Sequence, residues 1–141
     1  MTEGARYETF AHAADVGVRG VGPDPASAFE QAALALTSAI TDPTIVAART
    51  RVAIACSAPD LEILLFDWLN AVIAEMSARK VLFGRFSVRI EGNTLRGEAL
   101  GERVDVERHQ PAAEPKGATL TSLSVRRTES GEWIAECVVD V

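Results

Sequence analysis

Leu61-Glu62-Ile63-Leu64-Leu65-Phe66-Asp67-Trp68-Leu69-Asn70-Ala71-Val72-Ile73-Ala74-Glu75-Met76 decides the fold class. Leu61, Leu64, Leu65, Trp68, Leu69, Val72, Ile73 and Met76 recur at helical spacing and form one apolar stripe, while Glu62 and Glu75 fall off it. A stripe this wide needs a sheet or a second helix to cover it, and each large side chain fully buried there contributes roughly 1.5–3 kcal/mol. Ser57-Ala58-Pro59-Asp60 just before it reads as a capping box, so a helix is expected over 58–79. Asp67 lies on the flank of the stripe with Ile63, Asn70 and Ala74. It is expected to reach a hydrogen-bond donor at the core edge, because a buried carboxylate without a partner is costly.

On both sides of this helix the period changes to two. Upstream, Ala5 to Phe10 and Val16 to Val21 alternate apolar and polar residues, and Gly20, Gly22 and Pro23 end the run. Asp24 is then a good N-cap, with Pro25 in a first turn where its missing N–H costs nothing. Phe29, Ala32, Ala33, Leu36 and Ile40 follow at helical spacing, which predicts a helix over 25–41, stopped by Pro43. Val52, Ile54 and Cys56 share one face of a third strand. Downstream, Phe86, Val88 and Ile90 alternate, Glu91-Gly92-Asn93 makes a turn, and Leu95 to Leu100 returns as a hairpin. Residues 101 to 117 read as a long irregular connection. Two strands close the chain, Ala118 to Arg127, with a bulge between Leu120 and Leu123, and Glu132 to Val141. The expected fold is α+β: one domain over residues 1–141, mostly antiparallel strands and two helices.

Of the 141 residues 48% are hydrophobic and 24% charged, a composition ordinary for one folded domain. No apolar run approaches the roughly 20 residues that span a bilayer. Met1 to Ala11 carries Glu3, Arg6 and Glu8 in place of an apolar leader, so no membrane association and a cytoplasmic location are expected. Cys56 and Cys137 lie in apolar strand-like runs without metal-ligand spacing and are expected to be buried reduced thiols. The net charge of −6 argues against a general nucleic-acid binder. Residues 1 to 70 hold nine acids and four bases, residues 71 to 141 eleven and ten. Contact with RNA is therefore expected to be indirect, or confined to an arginine-rich patch on the second half.

The chemistry-bearing residues sit near the two ends. Asp140 and Val141 put a side-chain carboxylate beside a terminal one, and His12-Ala13-Ala14-Asp15 offers an imidazole and another carboxylate at a strand-to-strand step. If the fold joins the two ends, Asp15, Asp140 and the terminal carboxylate make an oxygen-rich set suited to a hard divalent cation. Spacing alone equally allows a solvated Asp140, a turn-forming Asp15 and a packed His12. Glu107-Arg108-His109 and Glu114-Pro115-Lys116 read as parts of a solvated loop. Two other function classes stay open: a small metal-dependent hydrolase using Asp15 and Asp140 with His12 or His109, and a general chaperone carrying an exposed apolar patch.

His12-Ala-Ala-Asp15-Val-Gly17, Leu64-Leu-Phe-Asp-Trp-Leu-Asn70, Glu107-Arg-His109, Glu114-Pro-Lys116 and Asp140-Val141, in this order and nearly end to end, resemble the archease family. The resemblance implies a small α+β accessory protein, not an enzyme, that activates an RtcB-type RNA-splicing ligase. It would promote guanylylation of the ligase and its multiple turnover in tRNA splicing or RNA repair. The same resemblance implies metal ligands at Asp15, Asp140 and Val141, with calcium as the ion and magnesium or manganese as alternatives. It also implies partner-facing or accessory roles for His12, Glu114 and Lys116. The chain departs from the family at Thr119-Leu120-Thr121, where Thr-Tyr-His is common, so two side chains that can touch partner or metal are missing.

Overall fold

The computed structural model describes residues 4–141; Met1 to Glu3, the start of the segment read as lacking a leader, lie outside the described residues. Every strand pair is antiparallel, as the sequence pattern predicts. β1 (Arg6–His12) and β2 (Asp15–Gly22) form a hairpin around Ala13-Ala14, and Ala13 takes a left-handed turn conformation at φ 54°. Helix α1 (Pro25–Ser38) follows, capped by Asp24, whose side chain accepts from the Ser27 N–H at 2.7 Å. After a single helical turn at Pro43–Ile45 come β3 (Thr50–Ser57), helix α2 (Leu61–Arg79), and the hairpin β4 (Val81–Glu91) and β5 (Thr94–Arg103). A four-residue helix α3 (Val106–His109), two short strands β6 (Gly117–Ala118) and β7 (Ser124–Arg127), and β8 (Trp133–Asp140) complete the chain.

Two sheets result. Sheet A runs β1-β2-β8, with β6 and β7 both pairing to the far edge of β8; sheet B runs β3-β5-β4. Helix α1 crosses sheet A and also reaches β4, while α2 packs on sheet B and on the β6 and β7 edge. The whole predicted stripe of α2 is buried except Leu61, which is half-buried. Trp68, fully buried at its centre, donates its indole N–H to the Phe29 carbonyl of α1 at 3.1 Å and meets the Phe86 ring edge-on, so one side chain ties both helices to sheet B. Cys137 is buried, Cys56 half-buried, and both are free thiols.

Several boundaries differ from the sequence expectation. Helix α1 ends at Ser38, not at 41, because residues beyond it bond elsewhere: the Thr41 hydroxyl donates to the His109 carbonyl and the Ile40 carbonyl accepts from Ala112 N–H. Helix α2 begins at Leu61, not at 58. Asp60 is itself the N-cap, accepting from the Ile63 N–H at 2.8 Å, whereas Ser57 stays in the β3 ladder opposite Thr94. The connection expected at 101 is still strand to Arg103 and then holds a third helix. The bulge expected between Leu120 and Leu123 is a full excursion that splits the strand in two. Its backbone returns to β8 through Thr119 N–H to the Val138 carbonyl and Val138 N–H to the Thr121 carbonyl.

Candidate functional site

The end of sheet A assembles most of the residues singled out by sequence. In the β1–β2 hairpin His12 stands opposite Asp15, and in the β2–β8 ladder Val16 stands opposite Val139. Continuing that register by one step sets Asp15 opposite Asp140, whose other neighbour is Gly117 of β6. His12, Asp15 and Asp140 therefore share one row and one face of the sheet, since cross-strand neighbours project together. The main-chain N–H of Val141 donates to Asp15 Oδ1 at 3.4 Å, which links the start of β2 to the residue after β8. Asp140 and His12 are exposed and Asp15 is half-buried, so the carboxylates are open to solvent.

The segment carrying Glu114 and Lys116 ends at the same row. Lys116 N–H donates to the Asp140 carbonyl at 2.8 Å, while the Glu114 and Lys116 side chains are both exposed. Asn70 on α2 takes a role the sequence does not reveal: its Oδ1 accepts from the Ala118 N–H at 2.9 Å and so fixes β6 against α2. The one signal in the chain is an amide at the flank of an otherwise apolar helix. Asp67, expected to find a donor there, has no hydrogen-bond partner among the described residues. Burial, and then the Asp67 charge, push the half-buried Cys56 thiol above its usual range.

His109 is elsewhere and does something else. It is 3% exposed, and its Nδ1 accepts from the Asp105 N–H at 2.8 Å, which leaves the proton on Nε2, 3.0 Å from Glu102 Oε2. Glu102, in β5, also accepts from Arg108 at 2.6 Å and from the Ala47 N–H at 2.8 Å. The Arg108 hydrogen bond first, then those from Ala47 and His109, hold this carboxyl down at about 2. The expectation of a solvated loop at Glu107-Arg108-His109 is thus corrected for His109, whose imidazole is consumed in a structural network. A second network lies inward of the candidate row. Burial pushes the Glu136 carboxyl up, but hydrogen bonds and charge from Arg19 and Arg126 outweigh it and hold it below the usual range.

Among the described residues no three His, Cys, Asp or Glu side chains converge to hold a metal. Asp15 and Asp140 bring two carboxylates into one row, with the main chain of Val141 bonded to Asp15. Such a donor set is all hard oxygen and fits a hard divalent cation. The large apolar side chains most exposed among the described residues, Tyr7, Ile45, Val106 and Leu120, sit on four different segments.

The Archease protein family (MTH1598/TM1083) matches residues 7–141, nearly the whole chain. The chain belongs to the archease family. It is 34% identical over 140 residues to the protein archease of Pyrococcus furiosus, covering 96% of this chain and 99% of that one. It is 33% identical over 145 residues to the protein archease of Methanosarcina mazei, covering 99% of each. Among solved structures, Methanobacterium thermoautotrophicum protein 1598 superimposes with a TM-score of 0.83 at 29% identity, covering 96% of this chain and 98% of that one. The Thermotoga maritima protein described as "an archease, possible chaperone" shares the fold with a TM-score of 0.65 at 21% identity, over 95% and 96% of the two chains. Among the described residues no helix is long and apolar enough to cross a membrane.

Proposed function

We propose that this archease-family chain is a non-catalytic accessory protein that activates an RtcB-type RNA-splicing ligase in the cytoplasm. It would promote guanylylation of the ligase and its multiple turnover in tRNA splicing or RNA repair. Family membership supports the reading, and one geometric observation carries it: Asp15 and Asp140 face each other at the end of sheet A, next to the Glu114 to Lys116 segment. Asp15, Asp140 and the main-chain oxygens of Val141 would hold the divalent cation, calcium by family resemblance, with magnesium and manganese fitting the same oxygens. A cation bound there supplies positive charge that offsets the negative charge developing on a transferring phosphoryl group. The protein's own part is positioning. The Lys116 backbone hydrogen bond to the Asp140 carbonyl fixes the end of the exposed Glu114 to Lys116 segment beside the carboxylate pair. The net charge of −6 suits docking on the basic nucleic-acid channel of a ligase, where complementary charge speeds encounter.

The test uses Asp140→Ala. Saturating calcium should raise the melting midpoint of the wild type by mass action, and the variant should lose that increment together with stimulation of ligase guanylylation under nucleotide-limited conditions. A variant that stimulates the ligase as well as wild type would sink the metal-centred account. No effect of the wild-type protein on multiple turnover would sink the activator reading itself.

A further inference from the structure

The outward face of sheet B is far more basic than the protein as a whole. Alternation along the strands puts Arg51 of β3, Arg85, Arg89 and Glu91 of β4, and Arg96 and Glu98 of β5 on this exposed face. Four arginines stand against two glutamates in a chain of net charge −6. Arg89 and Arg96 are directly opposite each other in the β4–β5 ladder. Like charges in that relation repel, and among the described residues neither has an ion-pair or hydrogen-bond partner; nor has Arg85. Of the two acids on the face, Glu98 pairs with Arg51 at 3.7 Å, and Glu91, two residues along β4 from Arg89, makes no ion pair with either arginine among the described residues. Between the arginines the side chains are small: Ala55 is Arg96's neighbour on β3, and Ala53 and Ser87 flank Glu98. They leave a shallow hollow of about 630 Å³ over the middle of the sheet.

We propose that this face binds single-stranded RNA through its phosphodiester backbone. A phosphate lodged between Arg89 and Arg96 converts a repulsive pair into two charge-assisted forks, the geometry in which a guanidinium holds phosphate best. Arg85 and Arg89, four residues apart on β4, are separated by roughly 13 Å along the strand, enough to engage more than one phosphate. The face carries no aromatic side chain for bases to stack on, so binding is by backbone and independent of sequence. Leu100, half-buried between Arg51 and Arg85, is the one large apolar side chain on this face, and no Trp or Tyr stands beside the arginines as in the anchor clusters of protein docking surfaces. The choice of RNA over DNA rests on the ligase reading above; the phosphate site itself does not.

The experiment titrates the full chain into a labelled oligouridylate and follows anisotropy between about 50 and 200 mM salt. Arg89→Ser/Arg96→Ser should weaken binding about tenfold or more at the low-salt end. It should also flatten the log–log salt slope by about 0.7, the value for the one phosphate no longer neutralised. The melting midpoint of this variant should be unchanged or higher, since a repulsive pair has been removed. Arg79→Ser/Arg127→Ser takes the same charge from elsewhere and should bind within about twofold of wild type. Asp140→Ala should bind the oligomer as wild type does, which separates this inference from the activator reading. Equal losses in the two double variants, no loss in the first, tighter binding of oligodeoxythymidylate than of oligouridylate, or displacement of the RNA by polyglutamate at matched charge would each overturn the proposal.

Discussion

Replacing Asn70 by leucine removes one hydrogen-bond acceptor while keeping the branched shape of the side chain, and its consequence can be followed from α2 to the candidate site. Strand β6 is only Gly117 and Ala118, held to β8 on one side, and its outward Ala118 N–H is covered by Asn70 Oδ1 at 2.9 Å. A neutral hydrogen bond contributes about 0.5–1.5 kcal/mol net, and a donor left buried without a partner costs about 1–3 kcal/mol. Ala118 is half-buried, so water recovers part of the loss and the expected cost lies at about 1–2 kcal/mol. If that cost falls on local opening, the Ala118 amide exchanges roughly 5–30 times faster. Amide exchange by NMR reads this directly, and urea unfolding separates a local from a global effect. Asn70→Asp keeps the acceptor and should restore slow exchange. Because β6 carries Gly117, the neighbour of Asp140, and follows Lys116, Asn70→Leu should also weaken ligase stimulation where Asn70→Asp does not. Unchanged Ala118 exchange in Asn70→Leu, or equal damage from both substitutions, would refute the assignment of Asn70 as the residue that positions β6.

The depressed Glu102 carboxyl makes stability depend on acid. Its contribution is complete above the ordinary value of 4.5 and is lost as pH falls toward about 2, so the urea midpoint should drop through that window, and Glu102→Gln should flatten the drop. Trp68 and Gly97 should couple. A Cβ on Gly97 would lie 2.8 Å from Trp68 Cζ3 and 3.0 Å from Cη2, so Gly97→Ala alone should cost about 1–3 kcal/mol by overpacking. Trp68→Phe vacates that space while losing the indole bond to Phe29. The double variant should therefore be more stable than the sum of the single losses by about 1 kcal/mol, and denaturant unfolding that returns additive values within about 0.5 kcal/mol would contradict the packing described.

The fold was legible where burial is one-sided. On sheet B, Val52, Ile54, Val88, Leu95 and Ala99 face the core while their neighbours face water, so period two appears in the chain itself. Strand β8 is different: Ala135 to Val139 are all buried, because α1 covers one face while the Arg19, Glu136 and Arg126 network lies on the other, and alternation predicted only half of that. Helix ends slipped where tertiary bonds compete with local ones, as when Ile40 and Thr41 turn to the 109–112 segment. The candidate site was legible as two separated motifs, since Asp15 and Asp140 stand at strand ends that the hairpin pattern implies. Glu102 and His109 were not. The four groups around Glu102 come from Ala47, Arg49, Arg108 and His109, and spacing within a motif carries no trace of partners so placed. Asn70 was missed for the same reason, its partner lying 48 residues away.

Two rows on the same face of sheet A make the strongest physical contrast in the molecule. In the inner row Glu8, Arg19, Glu136 and Ser124 are neighbours across four strands, and Arg126 reaches in from β7, so the buried carboxylate of Glu136 meets two guanidinium groups. In the end row, four residues along β2, His12, Asp15, Asp140 and Gly117 are neighbours, and the two carboxylates have no cationic side chain bound to them among the described residues. The same strands thus neutralise their charge completely in one row and leave it open in the other. Facing carboxylates repel in a bare sheet, and fraying of the last residues would relieve them. Instead the Val141 N–H holds Asp15 and the Lys116 N–H holds the Asp140 carbonyl, bonds that preserve the juxtaposition. On the function proposed above, two like charges kept together by backbone hydrogen bonds would accept a positive charge supplied from outside. Asp15→Asn, which halves the charge of the pair but keeps an oxygen acceptor for Val141, should therefore raise stability in the presence of a chelator and lower it relative to wild type in saturating calcium. Melting curves in the two buffers decide the matter, and a shift of the same sign in both would show that the row is ordinary surface.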